Sequence, residues 1–272
     1  PRSPFDRLRW SGSFPVPTYL ENKPRYVPRS LLNLIVALTV TSLLLALSTR
    51  RLTAQDVVDW ASLERYRTAN AELPARSPND QRVVFYGNSI TDSWASLFPE
   101  MFPGKHYLGR GISGQTTPQM LVRFPQDVIR LEPDVVVILA GTNDIAGNTG
   151  PSTQTMIEDN IVSMVDLALA NSISVVLCSV LPVSDYPWKP GLNPGPKIVE
   201  LNTWMRQLAQ NEGLVYVDYH SEMVNDSLGL ARELTYDGVH PNQAGYQVMA
   251  RLVDPAIGTA LEGRQNHTTP NR

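Results

Sequence analysis

Short apolar runs alternate with longer amphipathic segments through most of this chain, and that alternation is the strongest constraint on its fold. Five runs have the apolar, β-branched or aromatic composition of strands. They are residues 82–86, 107–108, 134–139, 173–181 and 214–219. Strands that alternate with helices form βαβ units with right-handed crossovers, and helices then cover both faces of the parallel sheet. The pattern therefore predicts a single α/β domain.

The segments around these runs have the spacing of apolar residues that is typical of helices. They are residues 54–73, 91–98, 117–131, 152–171, 197–211 and 241–261. The first of them places Val57, Trp60, Leu63 and Tyr66 on one stripe. Residues 182–196 contain five prolines and are predicted to form a long structured loop.

The amino-terminal residues 1–54 differ in composition from the rest of the chain. An apolar stretch at 31–47 follows basic residues and precedes a segment that ends in Ala54. This order is typical of a secretory signal peptide cleaved after Ala54, with an uncleaved membrane anchor and a buried core helix as alternatives. We expect a signal or anchor extension at 1–54, one domain at 55–262 and a disordered tail at 263–272. The expected location is periplasmic or extracellular, or alternatively membrane-anchored.

Composition argues against several classes of partner. The formal net charge is −3, so the chain has no basic footprint for nucleic acid. The one cysteine, Cys178, lies in an apolar run and is interpreted as a small buried side chain. The four histidines show no ligand spacing, which argues against a structural zinc site. We therefore expect no metal site, and a small-molecule substrate.

Four short segments carry the side chains of chemical interest, in the order 87–90, 111–114, 141–144 and 237–240. The first three follow predicted strands. Ligands of parallel α/β sheets bind at the carboxyl ends of the strands, so these segments are predicted to meet at one edge. The fourth lies on a loop that can reach the same edge. Together they predict a site for ester hydrolysis by a serine.

Ser89 is the candidate nucleophile. It follows the first predicted strand and precedes a potential helix, so its hydroxyl is expected above the edge of the sheet, near a helix N-terminus that favours negative charge. Gly87 allows the tight turn. The alternative interpretation is a serine that only caps the helix.

Asp237 and His240 are the candidate orienting carboxylate and base. Their spacing, with Gly238 between them, allows the carboxylate to reach Nδ1 of the imidazole. That contact selects the tautomer whose Nε2 can take the proton of Ser89. The alternative is a turn aspartate and an uninvolved loop histidine.

Gly114 and Asn143 are the candidate oxyanion donors, with the backbone N–H of Ser89 as the third. Attack on an ester carbonyl places negative charge on oxygen, and preorganised N–H donors stabilise it. A glycine can bring its N–H close because it has no side chain. The alternatives are an ordinary turn glycine and an asparagine bonded to its own backbone.

With these residues the chain resembles the SGNH, or GDSL-type, hydrolase and esterase superfamily. The resemblance extends from about Val83 to the C-terminal helix and assigns Ser89, Gly114, Asn143, Asp237 and His240 the roles given above. It implies a flavodoxin-like three-layer α/β/α sandwich with about five parallel strands, and no cofactor. Residues 109–120 and 140–151 further resemble the acetylhydrolase-like branch, which implies small acyl groups. Asn88 and Gly109 depart from the usual pattern, which has Asp and Asn there.

Three residues are candidates for substrate binding. Arg110 and Asn148 flank the oxyanion segments, and Arg110 is the one assigned to substrate. Tyr186 and Trp188 lie in the proline-rich loop above the same edge, where an aromatic ring could stack on a sugar. The alternative for Trp188 is that it attaches this loop to the domain.

The predicted function is a serine esterase acting on small acyl esters, with acetyl esters and acetylated saccharides favoured. A lysophospholipase or thioesterase acting on longer acyl chains is the alternative within the class. A non-catalytic glycan-binding module on the same fold is the alternative from another class. The oligomeric state is left open.

Overall fold

The computed structural model describes residues 59–77 and 81–268, with side chains up to residue 264, and also Ser30 and Asn33. The chain divides into two units, Pro1–Asp56 and Val57–Arg272, and the fold below is that of the second. The proposed signal or anchor stretch at 31–47 and the cleavage point at Ala54 lie outside the described residues, apart from Asn33. Among the described helices, none has the length and apolar composition needed to cross a membrane.

The core of the domain is a sheet of five parallel strands in the spatial order β2-β1-β3-β4-β5. The strands are β1 (Val83–Gly87), β2 (Tyr107–Gly111), β3 (Val135–Leu139), β4 (Ser174–Cys178) and β5 (Val215–Val217). β1 lies between β2 and β3, with Val83 level with both Tyr107 and Val135. The predicted α/β class and five-stranded parallel sheet are therefore confirmed.

Residues 59–77 and 81–268 contain nine α-helices. They are α1 (Arg67–Ala71), α2 (Ser89–Trp94), α3 (Phe98–Met101), α4 (Thr117–Asp127), α5 (Thr142–Ala146), α6 (Gln154–Ala170), α7 (Gly195–Glu212), α8 (Tyr219–Met223) and α9 (Gln243–Thr268). Three short 3-10 turns, Ala95–Leu97, Ile129–Leu131 and Arg232–Leu234, continue or connect them.

Alternating strand residues enter two separate hydrophobic layers, as a strand's period of two requires. On one face, Tyr86 and Ile138 pack in a core shared with α4, α6 and α7. On the other, Phe85 and Val137 pack in a core shared with α2, α8 and α9. Because both faces of the sheet are covered, the fold is the expected three-layer α/β/α sandwich.

The helix predicted at 54–73 is wrong for the described residues from 59 onward. Only Arg67–Ala71 is helical, and turns occupy the preceding residues. The Asp59 carboxylate accepts the backbone N–H groups of Leu63 and Glu64, and Ser62 adopts a left-handed φ of 55°. A side chain that binds local N–H groups competes with helix formation. Trp60 and Leu63 of the expected apolar stripe are exposed.

The chain end also differs from the prediction, because α9 continues to Thr268 through most of the expected disordered tail at 263–272. Within this part of the helix, Arg264 contacts the sheet side of the domain. Its Nη1 donates to the carbonyl oxygen of Asp134 at 3.2 Å, and its Nε lies 3.5 Å from the Asp134 carboxylate. A polar side chain thus fastens this turn of helix to the start of β3.

Candidate active site

Ser89 is the first residue of α2 and follows β1 by a single intervening residue, Asn88. The Asn88 side chain caps the helix by accepting the N–H of Ile90 at 3.2 Å. A Cβ on Gly87 would lie 2.1 Å from Oγ1 of Thr91, so only glycine fits at this strand end. The helix cap is therefore Asn88, and the hydroxyl of Ser89 is left for another partner.

That partner is His240. The Oγ of Ser89 lies 2.9 Å from Nε2 of His240, and Nδ1 of the same ring lies 2.8 Å from Oδ2 of Asp237. The other carboxylate oxygen accepts the backbone N–H of Val239 at 2.9 Å and that of His240 at 2.8 Å. The three predicted triad residues thus form one continuous line of hydrogen bonds, which is the arrangement that activates a serine.

The loop that carries this pair is held in shape by Thr235. Its hydroxyl donates to the carbonyl oxygen of His240 at 2.7 Å, and residues Thr235 and Pro241 pair as an antiparallel bridge. Partial burial acts to raise the pKa of Asp237. The hydrogen bonds from His240 and Val239 outweigh that effect, and the net pKa is lowered. Asp237 is therefore a carboxylate over the whole neutral range.

The two other predicted oxyanion residues, Gly114 and Asn143, follow β2 and β3, the strands on either side of β1. Gly114 has a left-handed φ of 78°, and a Cβ there would meet nothing within 4 Å. Its carbonyl oxygen accepts Nδ2 of Asn148 at 3.2 Å, which fixes the orientation of that peptide. Asn143 is buried in α5 and uses Nδ2 to donate to the carbonyl oxygen of Gln115 at 2.9 Å. An amide nitrogen carries two hydrogens, so a second remains for a ligand.

Asp144, the neighbour of Asn143, binds the start of α4. Its carboxylate accepts the N–H of Thr117 at 2.9 and 3.0 Å and the Thr117 hydroxyl at 2.6 Å. Burial raises the pKa of Asp144 to about 6, although these hydrogen bonds act to lower it. The contact ties the start of α4 to the helix that carries Asn143.

Two predicted substrate residues are corrected by the structure. Arg110 is buried, donates from Nε to the Asn70 side chain at 2.8 Å and lies over the ring of Tyr66. Tyr186 is fully buried, and its hydroxyl donates to the carbonyl oxygen of Thr142 at 2.8 Å. Because neither side chain reaches solvent, neither can contact a substrate directly, and both support the surrounding loops instead.

Trp188, the third predicted substrate residue, remains at the site with 46% of its surface exposed. Its ring centre lies 6.4 Å from that of His240 and 5.1 Å from that of Tyr186. Its Nε1 donates to Oδ1 of Asn148 at 3.3 Å. The side chain therefore attaches its loop to the domain and also presents a ring face beside His240.

Several residues that contact Trp188 and the loop at Gly114 were not assigned a role from the sequence. Asn148 joins Trp188 to the peptide of Gly114, and its position after the third segment was the only signal. Gln115, on the loop that follows Gly114, binds Arg123 of α4, and nothing in the sequence pattern indicated that contact. Among the described residues, no three His, Cys, Asp or Glu side chains are grouped as metal ligands would be.

Comparison with known proteins places this geometry in a family. Residues 85–248 match the GDSL-like Lipase/Acylhydrolase family. A solved structure from Bacteroides thetaiotaomicron VPI-5482, described as a GDSL-like lipase, is 44% identical with a TM-score of 0.72. The match covers 75% of this chain and all of that one. A solved structure from Bacteroides fragilis NCTC 9343, described as a candidate acylhydrolase, is 48% identical with a TM-score of 0.73, over 75% and 99% of the two chains.

A curated relative points the same way. The acetylxylan esterase of Xylanibacter ruminicola is 28% identical over 75% of this chain, and the chain spans about half of that relative's length, 46%. The family match covers the strands and loops that carry Ser89, Gly114, Asn143, Asp237 and His240. The chain therefore belongs to the GDSL-like lipase and acylhydrolase family of carboxylic ester hydrolases.

Proposed function

We propose that this chain is a serine esterase that hydrolyses small acyl esters, acetyl esters above all, through an acyl-enzyme on Ser89. The observation that carries the proposal is the line of hydrogen bonds from Ser89 through His240 to Asp237. A serine is a weak nucleophile until a base takes its proton, and this line supplies the base together with the carboxylate that orients it.

In the proposed reaction, Oγ of Ser89 attacks the ester carbonyl carbon while Nε2 of His240 takes the hydroxyl proton. Asp237 stabilises the imidazolium that forms. The carbonyl oxygen gains negative charge and is held by the N–H groups of Ser89 and Gly114 and by Nδ2 of Asn143. The C–O bond to the alcohol then breaks, and His240 returns the proton to the departing oxygen. Water repeats the sequence and releases the acid from Ser89.

The preference for a small acyl group on a bulky alcohol rests on two observations. The side chains of His240 and Asp237 remain 25% and 40% exposed, so an open surface surrounds the reacting atoms. The relatives named acetylxylan esterase, from Xylanibacter ruminicola and from Geobacillus stearothermophilus, act on an acetylated polysaccharide by name. An open site with one exposed indole suits an acetylated saccharide, because a sugar ring can lie on the face of Trp188.

The decisive experiment is hydrolysis of p-nitrophenyl esters from acetate to palmitate. Wild type is compared with Ser89→Ala and with Ser96→Ala, an exposed serine just beyond α2 that serves as the control. We expect activity on acetate and butyrate that Ser89→Ala abolishes and Ser96→Ala retains. A rate that peaks on long chains would instead indicate a lysophospholipase or thioesterase. If the protein shows no turnover and Ser89 is not labelled by a fluorophosphonate, the result would indicate a binding module.

The role proposed for Trp188 has its own test. Trp188→Ala removes the ring face and the hydrogen bond to Asn148, whereas Trp188→Phe keeps the ring and loses only the bond. If the ring binds sugar, KM for acetylated xylo-oligosaccharides rises in the alanine variant, and the phenylalanine variant stays close to wild type. Equal KM values in all three proteins would leave Trp188 only the role of attaching its loop.

We further propose that the protein is exported, on the evidence of the apolar stretch at 31–47 and the small-residue segment that ends at Ala54. The test is expression of the full chain followed by fractionation and amino-terminal sequencing of the product. A product that begins at Gln55 outside the cytoplasm supports cleavage and export. A full-length product in the membrane fraction indicates an anchor, and one in the cytosol contradicts the proposal.

A further inference from the structure

Arg123 is a fully buried arginine in the middle of α4. Its guanidinium lies 4.3 Å from the centre of the Tyr86 ring. Its nitrogens donate to four oxygens: Gly87 O at 2.9 Å, Arg110 O at 2.9 Å, Asp127 Oδ2 at 3.1 Å and Gln115 Oε1 at 2.6 Å. A buried charge is costly unless it is paired and hydrogen-bonded, so the position of this group is strongly determined by its neighbours.

The partners of Arg123 lie at the carboxyl ends of two strands and on the loop that follows them. Gly87 ends β1, two residues before Ser89. Arg110 precedes Gly111, which ends β2. Gln115 comes directly after Gly114 on the loop to α4. One planar group therefore joins the turn of the proposed nucleophile to the loop of a proposed oxyanion donor.

Gln115 extends this connection in two directions. Its Nε2 donates to the carbonyl oxygen of Ala61 at 2.7 Å. The backbone carbonyl oxygen of Gln115 accepts Nδ2 of Asn143, the other proposed oxyanion donor. Arg123 thus contacts Gln115, and Gln115 contacts Asn143. Gln115, next to Gly114 in the chain, therefore connects both proposed donors, Gly114 and Asn143, to Arg123.

The charge of Arg123 is balanced within the same cluster. Asp127, one helical turn later, is as fully buried as Arg123. Its second oxygen accepts Nδ2 of Asn70 at 2.8 Å, and the Asn70 oxygen in turn accepts Nε of Arg110. A lysine could keep the charge, but it has one nitrogen and cannot reach backbone oxygens on two strands and a side chain together.

We propose that Arg123 is a positioning residue that sets the distance between Ser89 and the oxyanion donors Gly114 and Asn143. The inference rests on the proposed esterase function, because it assigns Arg123 a part in holding that site. Donors for an oxyanion act at about 2.7–3.1 Å from the oxygen, so a displacement of even about 1 Å costs roughly 100-fold in rate. Such a displacement weakens stabilisation of the transition state rather than binding of the substrate, so it lowers kcat.

The chain contains a matched control for a purely structural role. Arg82 is also buried and also bridges two backbone oxygens, Leu131 O at 2.7 Å and Pro74 O at 3.0 Å. It directly precedes β1, at the amino-terminal ends of the strands, whereas Ser89 follows the carboxyl end of β1. Replacing either arginine by lysine disturbs a buried hydrogen-bonded guanidinium. Arg123 donates to the strand end before Ser89 and to the loop after Gly114, whereas Arg82 lies at the other end of β1.

The experiment measures kcat and KM for p-nitrophenyl acetate, together with Tm, in wild type, Arg123→Lys, Gln115→Met, the double variant and Arg82→Lys. We expect kcat to fall about 10- to 100-fold in both single variants at the site, with KM within about twofold. The double variant should lose little more than either single one, because both substitutions break the same connection. Arg82→Lys should lower Tm and keep kcat.

Two results would overturn the inference while leaving the esterase intact. One is a wild-type kcat in Arg123→Lys and Gln115→Met despite a lowered Tm. The other is an equal loss of kcat in Arg82→Lys, which would mean that general loosening of the fold explains the effect. A wild-type protein that neither hydrolyses esters nor reacts with a fluorophosphonate would overturn the proposed function, and this inference with it.

Discussion

At the scale of single residues, the Asp237 carboxylate serves two purposes at once. One oxygen accepts the backbone N–H groups of Val239 and His240 and so shapes the loop. The other binds Nδ1 of the His240 ring and so orients the proposed base. The three-residue spacing makes both contacts possible from one side chain.

Asp237→Asn separates these purposes. The asparagine oxygen can still accept the loop N–H groups, but its NH₂ group would face Nδ1 and favour the tautomer with a proton on Nε2. That ring cannot take a proton from Ser89, so kcat for p-nitrophenyl acetate should fall by about 10²- to 10⁴-fold while Tm changes little. Asp226→Asn, at an exposed turn, is the control. A variant that retains a tenth or more of the wild-type kcat would argue against this role.

Single residues also show what a sequence can reveal about a site. The meeting of Ser89, His240 and Asp237 was predictable because their chemistry coincided with a strand end and a short loop. Arg110 and Tyr186 had suitable chemistry and position along the chain, but burial decides whether a side chain reaches substrate, and burial depends on neighbours far away in sequence. Asn70 and Thr142, which bind them, lie 40 and 44 residues away.

At the scale of elements, helix α2 lies directly on the end of strand β2. A Cβ on Gly111 would be 2.1 Å from the backbone nitrogen of Asp92 and 2.6 Å from the carbonyl oxygen of Asn88. Both atoms are backbone, so no side-chain rotation could relieve the overlap. The first turn of α2, with Ser89, is thus seated at a distance that only glycine in β2 permits.

Gly111→Ala should therefore push α2 away from the sheet. We expect the free energy of unfolding to fall by about 1–3 kcal/mol, as overpacking typically costs, with a loss of kcat because Ser89 moves.

Gly258→Ala in α9 is the control, with the opposite expected result. A Cβ there meets nothing within 4 Å, and alanine favours helix, so that variant should gain up to about 1 kcal/mol. Denaturant unfolding measures both, and a neutral Gly111→Ala would contradict the close seating.

The contact between α5 and α4 predicts a pH dependence. The pKa of Asp144 is about 6 in the folded protein, above the ordinary value of 3.8. An acid with a raised folded pKa binds its proton more tightly when folded. Its contribution to stability is therefore full below about pH 4 and is lost as the pH rises through about 6.

Asp144→Asn removes this titration. The free energy of unfolding of wild type minus that of the variant should fall by roughly 2–3 kcal/mol between about pH 4 and pH 7, since each pKa unit corresponds to about 1.4 kcal/mol. Urea titrations at several pH values give the difference, with Asp166→Asn, on the exposed side of α6, as the control. A difference that stays constant or rises with pH would contradict the raised pKa.

Elements were predictable where apolar periodicity was long and consistent, as in α6 and α7, whose observed bounds differ from the expected ones by three residues or fewer at each end. The short helices α5 and α8 were missed because five residues carry too little periodicity to register. The predicted helix at 54–73 shows the converse, since a convincing apolar stripe was overruled by the local hydrogen bonds of Asp59.

At the scale of the whole molecule, the sheet isolates the one cysteine of the chain. Cys178 ends β4 and is fully buried, and burial raises the pKa of its thiol to about 12. The thiolate that reacts with alkylating agents is thus nearly absent in the folded protein. Access to it requires the helical layer over that face of the sheet to separate.

Alkylation of Cys178 by iodoacetamide should therefore follow global unfolding. We expect negligible labelling at neutral pH without denaturant, and a labelling curve in urea that coincides with the change in tryptophan fluorescence. Ser227→Cys, at an exposed turn, supplies a control thiol that labels at once. Rapid modification of Cys178 in the native protein would show that this face of the sheet opens locally.

The number and direction of the strands were predictable, but their order was not. Alternation of strands and helices requires a parallel sheet, whereas the order β2-β1-β3-β4-β5 depends on which strand packs beside which. That order is what places β1 between the strands that lead to Gly114 and Asn143. The meeting of those segments was inferred from a general property of α/β sheets, and their actual supports, Gln115 and Arg123, emerged only in three dimensions.

The hydrogen bond between Ser89 and His240 joins residues 151 positions apart. During synthesis, a growing polypeptide can complete the first three strands, and with them the turn of the nucleophile, long before the loop of the base has left the ribosome. Under the proposed mechanism, a nascent or prematurely terminated chain would carry the serine without its base. Hydrolysis would therefore begin only when the last loop docks.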